Sequence, residues 1–123
     1  MTFENAFLAF IRTRVVIQEA VGDSIFFEEA PQNLPPPYIV LHSIAAGGAR
    51  EVETQKPWMQ IDCFAADRFA ATEMAETITA SLFGVSYAMD GQYIQSITTE
   101  RRRPIKVEDG TWKVPIDTRF SYR

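Results

Sequence analysis

The stretch Pro57-Trp-Met-Gln-Ile-Asp-Cys-Phe-Ala-Ala-Asp-Arg-Phe-Ala-Ala-Thr-Glu-Met-Ala-Glu-Thr-Ile-Thr-Ala-Ser-Leu-Phe-Gly84 changes its periodicity part-way along. Met59, Ile61, Cys63 and Ala65 alternate with Trp58, Gln60, Asp62 and Phe64, the two-residue period of a half-buried strand. Asp67 has the chemistry of a helix N-cap, because its carboxylate can accept from the open N–H groups of a first turn. Ala71, Met74, Ala75, Ile78 and Leu82 then recur at helical spacing and form one apolar stripe. Gly84 is a natural stop, since positive φ costs it little. A strand followed by a helix that lies back on its sheet is the unit this stretch predicts.

Upstream, Phe3, Phe7, Phe10, Ile11 and Val15 mark one amphipathic helix, with Thr2 at its start and a fade near Ala20. Val21-Gly22-Asp23 reads as a turn, and Ile25-Phe26-Phe27 as a brief strand or extended connection. Pro31 and Pro35-Pro36-Pro37 exclude helix and central strand, leaving a rigid lead-in. Tyr38 to Ile44 is a β-branched strand whose partner is the Trp58–Ala65 strand, in a hairpin. Downstream, Val85 to Gln92 reads as a link containing the turn dipeptide Asp90-Gly91. Tyr93 to Thr99 reads as a strand, Glu108-Asp109-Gly110 as a turn, and Trp112 to Arg123 as the last strand. Pro115 places that last strand at an edge or at its own start.

These elements give an α+β class: a small, mostly antiparallel sheet with two helices packed on one face, in a single domain over 1–123. The uncovered face is expected to carry Trp58, Gln60, Asp62 and Phe64. Two large aromatics beside two polar groups suit a partner subunit better than solvent.

Length and composition narrow the class further. The 123 residues fit one domain, and 46% apolar content suits a packed core. No apolar run reaches the roughly 18 residues of a membrane span. Glu4 and Asn5 stand where a secretion signal would be basic, which points to assembly in the cytosol. The net charge of −4 is uneven: residues 1–100 hold five basic and thirteen acidic side chains, residues 101–123 seven basic and three acidic. An acidic body with a basic end suits surfaces that dock on one another more than general nucleic-acid binding.

Chemistry-bearing residues are few. Cys63 is the only cysteine, so no internal disulfide forms, and it falls on the apolar face of its strand. His42 is the only histidine, and no metal-ligand spacing is present. Gly47-Gly48 lacks the Gly-Lys-Ser/Thr of a phosphate loop. A hydrolase or transferase built on Asp62, His42 and Cys63 requires one shared face, whereas Asp62 and Cys63 alternate. No catalytic residue, cofactor or metal is expected. Arg101-Arg102-Arg103 is either the solvated end of a strand or a docking patch for carboxylates or phosphates. The loop from Ala45 to Lys56 carries Arg50, Glu51, Glu53 and Lys56 and has the length of a functional loop.

Four stretches together resemble a known family. They are Val21-Gly22-Asp23-Ser24-Ile25; Ala30-Pro31-Gln32 leading to Pro37-Tyr38-Ile39-Val40-Leu41; Met59-Gln60-Ile61-Asp62-Cys63-Phe64-Ala65; and the helix with Ala71, Ala75 and Leu82. Their order resembles the tail-completion, or tail-terminator, proteins of long-tailed bacteriophages and gene-transfer particles. The resemblance implies helices against a small sheet and no catalysis. It further implies a six-membered ring on the head-proximal end of the tail tube, at the neck of the virion. Such a ring would touch copies of itself, the major tail tube protein and the head-tail connector or stopper, and would pass DNA without binding it specifically. The ring should be assembled in the host cytoplasm.

On that view Arg101, Arg102 and Arg103 lie at a subunit or tube interface, alongside Trp58, Gln60 and Asp62. The Gly47–Lys56 loop orders against the tube or neck, with Glu51 and Glu53 as candidates for the channel lining. The alternatives are another neck protein, a stopper or adaptor, and a small α+β ligand-binding dimer.

Overall fold

Trp58–Ala65 forms a strand in the middle of the sheet, paired along its whole length on one side and from Trp58 to Phe64 on the other. The structure is a computed structural model that describes residues 3–44, 58–83, 87–89, 92–107 and 110–122. In chain order the elements are α1 (Phe3–Arg12), α2 (Val15–Val21), β1 (Ile25–Phe27), β2 (Tyr38–Ile44) and β3 (Trp58–Ala65). They continue with α3 (Arg68–Leu82), β4 (Tyr87–Met89), β5 (Gln92–Arg101), β6 (Ile105–Lys106) and β7 (Trp112–Tyr122). The sheet runs β1-β2-β3-β7-β5-β4, with β6 on β7 beyond the end of β5.

All pairings are antiparallel except β1 with β2. Residues 28–37 carry the chain back along β1, so that β2 starts beside the start of β1. A parallel neighbour needs such a long return. The expected hairpin of β2 and β3 is present, with Leu41 opposite Ile61 and Ile39 opposite Cys63. The α+β class is as expected.

Alternation along β3 sorts the molecule into two faces. Met59, Ile61, Cys63 and Ala65 are buried with Ile39 and Leu41 of β2 and Val114 and Ile116 of β7. The stripe Ala71, Met74, Ala75, Ile78 and Leu82 of α3 packs on them, as its spacing predicts. Asp67 caps α3: its carboxylate accepts from the Ala70 N–H at 2.8 Å. The helix ends with the Phe83 N–H donating to Thr79 O at 3.0 Å, one residue before the Gly84 stop that the sequence predicts; Gly84 lies outside the described residues.

Four details differ from the sequence reading. The single N-terminal helix is two. Arg14 is extended, with φ −79° and ψ 117°. The break is stabilised by side chains: Thr13 Oγ1 donates to Phe10 O at 2.6 Å and Gln18 Nε2 to Arg12 O at 2.5 Å. The β-branched run Thr13, Val15, Val16, Ile17 disfavours continuous helix there. Phe7 and Ile11 stay in the core, while the break leaves Val15 63% exposed, off the predicted stripe.

The link Val85–Gln92 contains a strand, β4, paired to β5. Lys106 and Ile105 form the short β6, which has no sequence pattern of its own.

Pro115 sits inside a central strand, not at an edge or a strand start, and it is buried. The strand tolerates it because of where its missing N–H would point. The Pro115 carbonyl accepts from Arg102 N–H at 2.9 Å on the β5–β6 side. In a strand, the N–H and C=O of one residue face the same neighbour. The absent donor therefore falls at the interruption between β5 and β6, where no ladder bond is lost.

The outward carbonyls of the sheet edge at β1 are occupied from within the chain. Ile25 O accepts from the Arg12 guanidinium at 3.2 Å, and Phe27 O from Glu29 N–H at 2.9 Å. Occupied backbone groups of this kind prevent edge pairing.

Asp67→Ala is expected to destabilise the fold by about 1 kcal/mol, through loss of the α3 cap. Urea denaturation checks this: the midpoint falls while the slope is unchanged.

Candidate functional site

The face of the sheet without helices carries a connected set of polar and aromatic side chains. Strand register places Tyr38, Phe64 and Lys113 in one row, and Val40, Asp62 and Pro115 in the next. His42, Gln60, Asp117 and Glu100 form the third. In the first row the Tyr38 and Phe64 rings stack at 4.6 Å with 15° between planes, and Phe26 meets Tyr38 edge-on at 6.5 Å. Lys113 Nζ lies 5.8 Å from the centre of the Phe64 ring. Such ring pairs contribute directional packing beyond the area they bury.

Asp62 is the centre of the second row and is 1% exposed. Its Oδ1 accepts from Gln60 Nε2 at 2.9 Å. Its Oδ2 lies 3.1 Å from His42 Nε2 and 3.5 Å from Lys113 Nζ. A carboxylate removed from water needs this many partners. The other ring nitrogen of His42 lies 3.4 Å from Glu28 Oε1. Glu28 adopts φ +72°, a left-handed conformation uncommon for a side-chain-bearing residue. Its N–H donates to Leu41 O at 2.8 Å, so β1–β2 pairing holds it in that conformation beside His42.

Cys63 points to the opposite face and is fully buried. Burial, and then the charge of Asp62, push its thiol far up from the ordinary value of 9.0. His42 and Asp62 therefore meet each other, but the thiol is neither activated nor beside them. The alternation of Asp62 and Cys63 decides this. Among the described residues, no group of three histidine, cysteine or carboxylate side chains is placed to hold a metal. No helix among them is long and apolar enough to cross a membrane.

The structure distributes the expected docking residues unevenly. Gln60 and Asp62 are on the helix-free face as expected, and Phe64 is half-buried beside them. The Asp62 charge is matched within the chain. Trp58 pairs through its backbone with Ile44 and Arg119. Arg101 turns toward α3 and pairs with Glu76 at 2.8 Å. Arg102 turns to the helix-free face and pairs with Asp117 at 2.9 Å. Arg103 is exposed and makes no ion pair among the described residues. The three arginines meet again along the edge of the sheet, where they line an open cavity of about 750 Å³ with Arg68 at the start of α3. Arg68 was not legible as part of this cluster, because 33 positions separate it from Arg101. Arg50, Glu51, Glu53 and Lys56 lie outside the described residues.

The chain thus combines a helix-covered core, a polar face centred on Asp62 and a cluster of arginines at the sheet edge. The chain is a structural protein of the phage-tail kind. It belongs to the family described as tail completion protein gp17, whose model matches residues 5–123.

The fold is similar to a chain in the solved virion of a native gene transfer agent particle. That match has a TM-score of 0.72 and 14% identity, over 98% of this chain and 93% of that one. A second solved chain, known by a sequence identifier alone, matches with a TM-score of 0.56 and 16% identity, over 98% and 90% of the two chains. No curated protein matches the sequence.

Asp62→Ala leaves the Gln60, His42 and Lys113 donors without their common acceptor, and is expected to cost about 2–3 kcal/mol in urea denaturation. His42→Ala, at a half-exposed position, should cost less. Cys63 should resist thiol reagents in the folded chain and react only on unfolding. Its raised pKa contributes stability in full below pH 9.0. Above that pH the unfolded thiol ionises and the folded one does not, so the contribution declines as pH rises. Cys63→Ala should fall less steeply in stability than the parent between pH 9 and 10.5.

Proposed function

We propose that this chain, acting as one domain, is a tail terminator. Copies of it close into a ring, six-membered as in the proteins it resembles, on the head-proximal end of a tail tube. The ring ends tube growth and offers its other side to the head connector or stopper. The observation that carries this reading is the family match over residues 5–123. The fold similarity to a chain of a gene transfer agent virion supports it. The role requires no catalysis and no cofactor. The protein belongs at the neck of the virion tail after assembly in the host cytoplasm, and DNA passes through the ring without specific contacts.

Residues 45–57 connect β2 to β3 and carry Arg50, Glu51, Glu53 and Lys56. In this reading they meet the tube or neck, and Glu51 and Glu53 give the channel a sign that repels phosphate. Gln60, Asp62 and Trp58 belong to the central strand, so they act by shaping the helix-free face toward a neighbouring tail protein.

Removing the gene from the particle that encodes it tests the reading by electron microscopy. Heads separate from tails, with tubes of excess and variable length, are the expected result. Tubes of normal length that fail to join would assign the protein to the stopper position instead. Joined particles of normal length would overturn the reading.

A further inference from the structure

The two lateral edges of the sheet carry opposite charge. At one edge, Asp23, Glu28 and Glu29 flank β1, and all three are exposed. Among the described residues Glu28 lies 3.4 Å from His42 Nδ1, and the Arg12 guanidinium donates to Ile25 O at 3.2 Å. At the other edge, Arg68, Arg101, Arg102 and Arg103 line one open cavity together with Glu100. Arg101 and Arg102 are matched by Glu76 and Asp117. Arg68 and Arg103 make no ion pair among the described residues, and exposed Lys106 follows on β6. Apolar surface accompanies the basic edge: Phe69 is 83% and Ile105 45% exposed.

Sheet order separates the two edges. From β1 to β6 the path crosses β2, β3 and β7. At about 4.8 Å per strand this is roughly 19 Å, and the edges face away from each other. A patch and its complement on opposite sides of one molecule cannot satisfy each other within it. They can do so only between copies, head to tail, which is the geometry that closes rings. Because the outward carbonyls of β1 are already occupied by Arg12 and Glu29, the contact is made by side chains and not by extending the sheet.

We propose that the acidic β1 edge of one copy, with Asp23 and Glu29, docks on the basic edge of the next, with Arg68 and Arg103. Phe69 and Ile105 form the apolar part of the contact. This rests on the ring reading and names its subunit interface. Arg101 and Arg102 line the same cavity, and their pairs with Glu76 and Asp117 already match their charge within the chain.

Charge exchange tests it, with mass measured by light scattering across a concentration series. One variant reverses the basic edge (Arg68→Glu with Arg103→Glu), and another the acidic edge (Asp23→Lys with Glu29→Lys). Each alone should raise the concentration for half-assembly by roughly tenfold or more, since like charges then face each other. An equimolar mixture of the two, or a chain carrying all four changes, should recover assembly. That recovery also shows that the variants fold.

Two results would overturn the inference. One is parent and variants assembling alike, which leaves the ring reading standing with a different interface. The other is a parent chain that stays monomeric at all concentrations, since the two edges then lack affinity. The gene-removal phenotype reports on the tail-terminator role separately from both.

Discussion

The fold depends on the two-sided pairing of β3. Every residue of that strand from Trp58 to Ala65 has a neighbour on β7, and from Trp58 to Phe64 also on β2. With both edges engaged, the strand cannot slip by one residue without exchanging its faces. Slippage would place Ile61 and Cys63 on the helix-free side and Asp62 in the core beneath α3. The cost of an unpaired carboxylate there, added to lost apolar burial, fixes the register. Once β3 is set, α3 follows, because Ala66 and Asp67 leave little chain between the end of the strand and the first helical turn.

The helix-free face shows how a small sheet handles polar groups without helices over them. Asp62 and Asp117 are both buried: Asp62 meets Gln60 of its own strand, His42 of β2 and Lys113 of β7, and Asp117 Oδ2 meets Arg102 just past the end of β5. The aromatic row of Phe26, Tyr38 and Phe64 closes one end. Charges that are satisfied locally contribute register and rigidity but little long-range field. What remains for partners is at the lateral edges, where exposed Asp23 and Glu29 stand opposite Arg68 and Arg103. A structural tail protein, which works among other tail proteins, is served by such separation: a satisfied centre and sides of distinct charge.

Fold similarity at 14% identity has a physical basis in this architecture. The core asks for apolar residues of fitting volume at alternate strand positions and on one helix stripe, and many sequences supply them. The helix-facing positions of β3 and the stripe of α3 need keep only their period and approximate size.

Local chemistry was legible wherever a single element decides the outcome. The alternation along Trp58–Ala65, the Asp67 cap, the Ala71–Leu82 stripe and the β2–β3 hairpin follow from spacing and side-chain type. So does the separation of Cys63 from Asp62, because it needs only a strand. The break at Thr13–Arg14 leaves no mark in the apolar period, which runs across it, while the hydrogen bonds that stabilise it come from Thr13 and Gln18. Proline's missing donor points to an edge or a strand start at Pro115; its place inside the central strand depends on a gap between β5 and β6 that no local pattern marks.

The sequence by itself determined the periods, the Asp67 cap, the faces and the uneven distribution of charge along the chain. Tertiary structure alone decided which charges meet. Glu28 reaches His42 through a parallel pairing 14 residues apart, Lys113 reaches Asp62 across 51, and Arg68 joins Arg103 only because α3 lies over the end of β5. Long-range neighbours are set by strand order, and strand order is a property of the whole sheet's packing, which no single stretch of sequence contains.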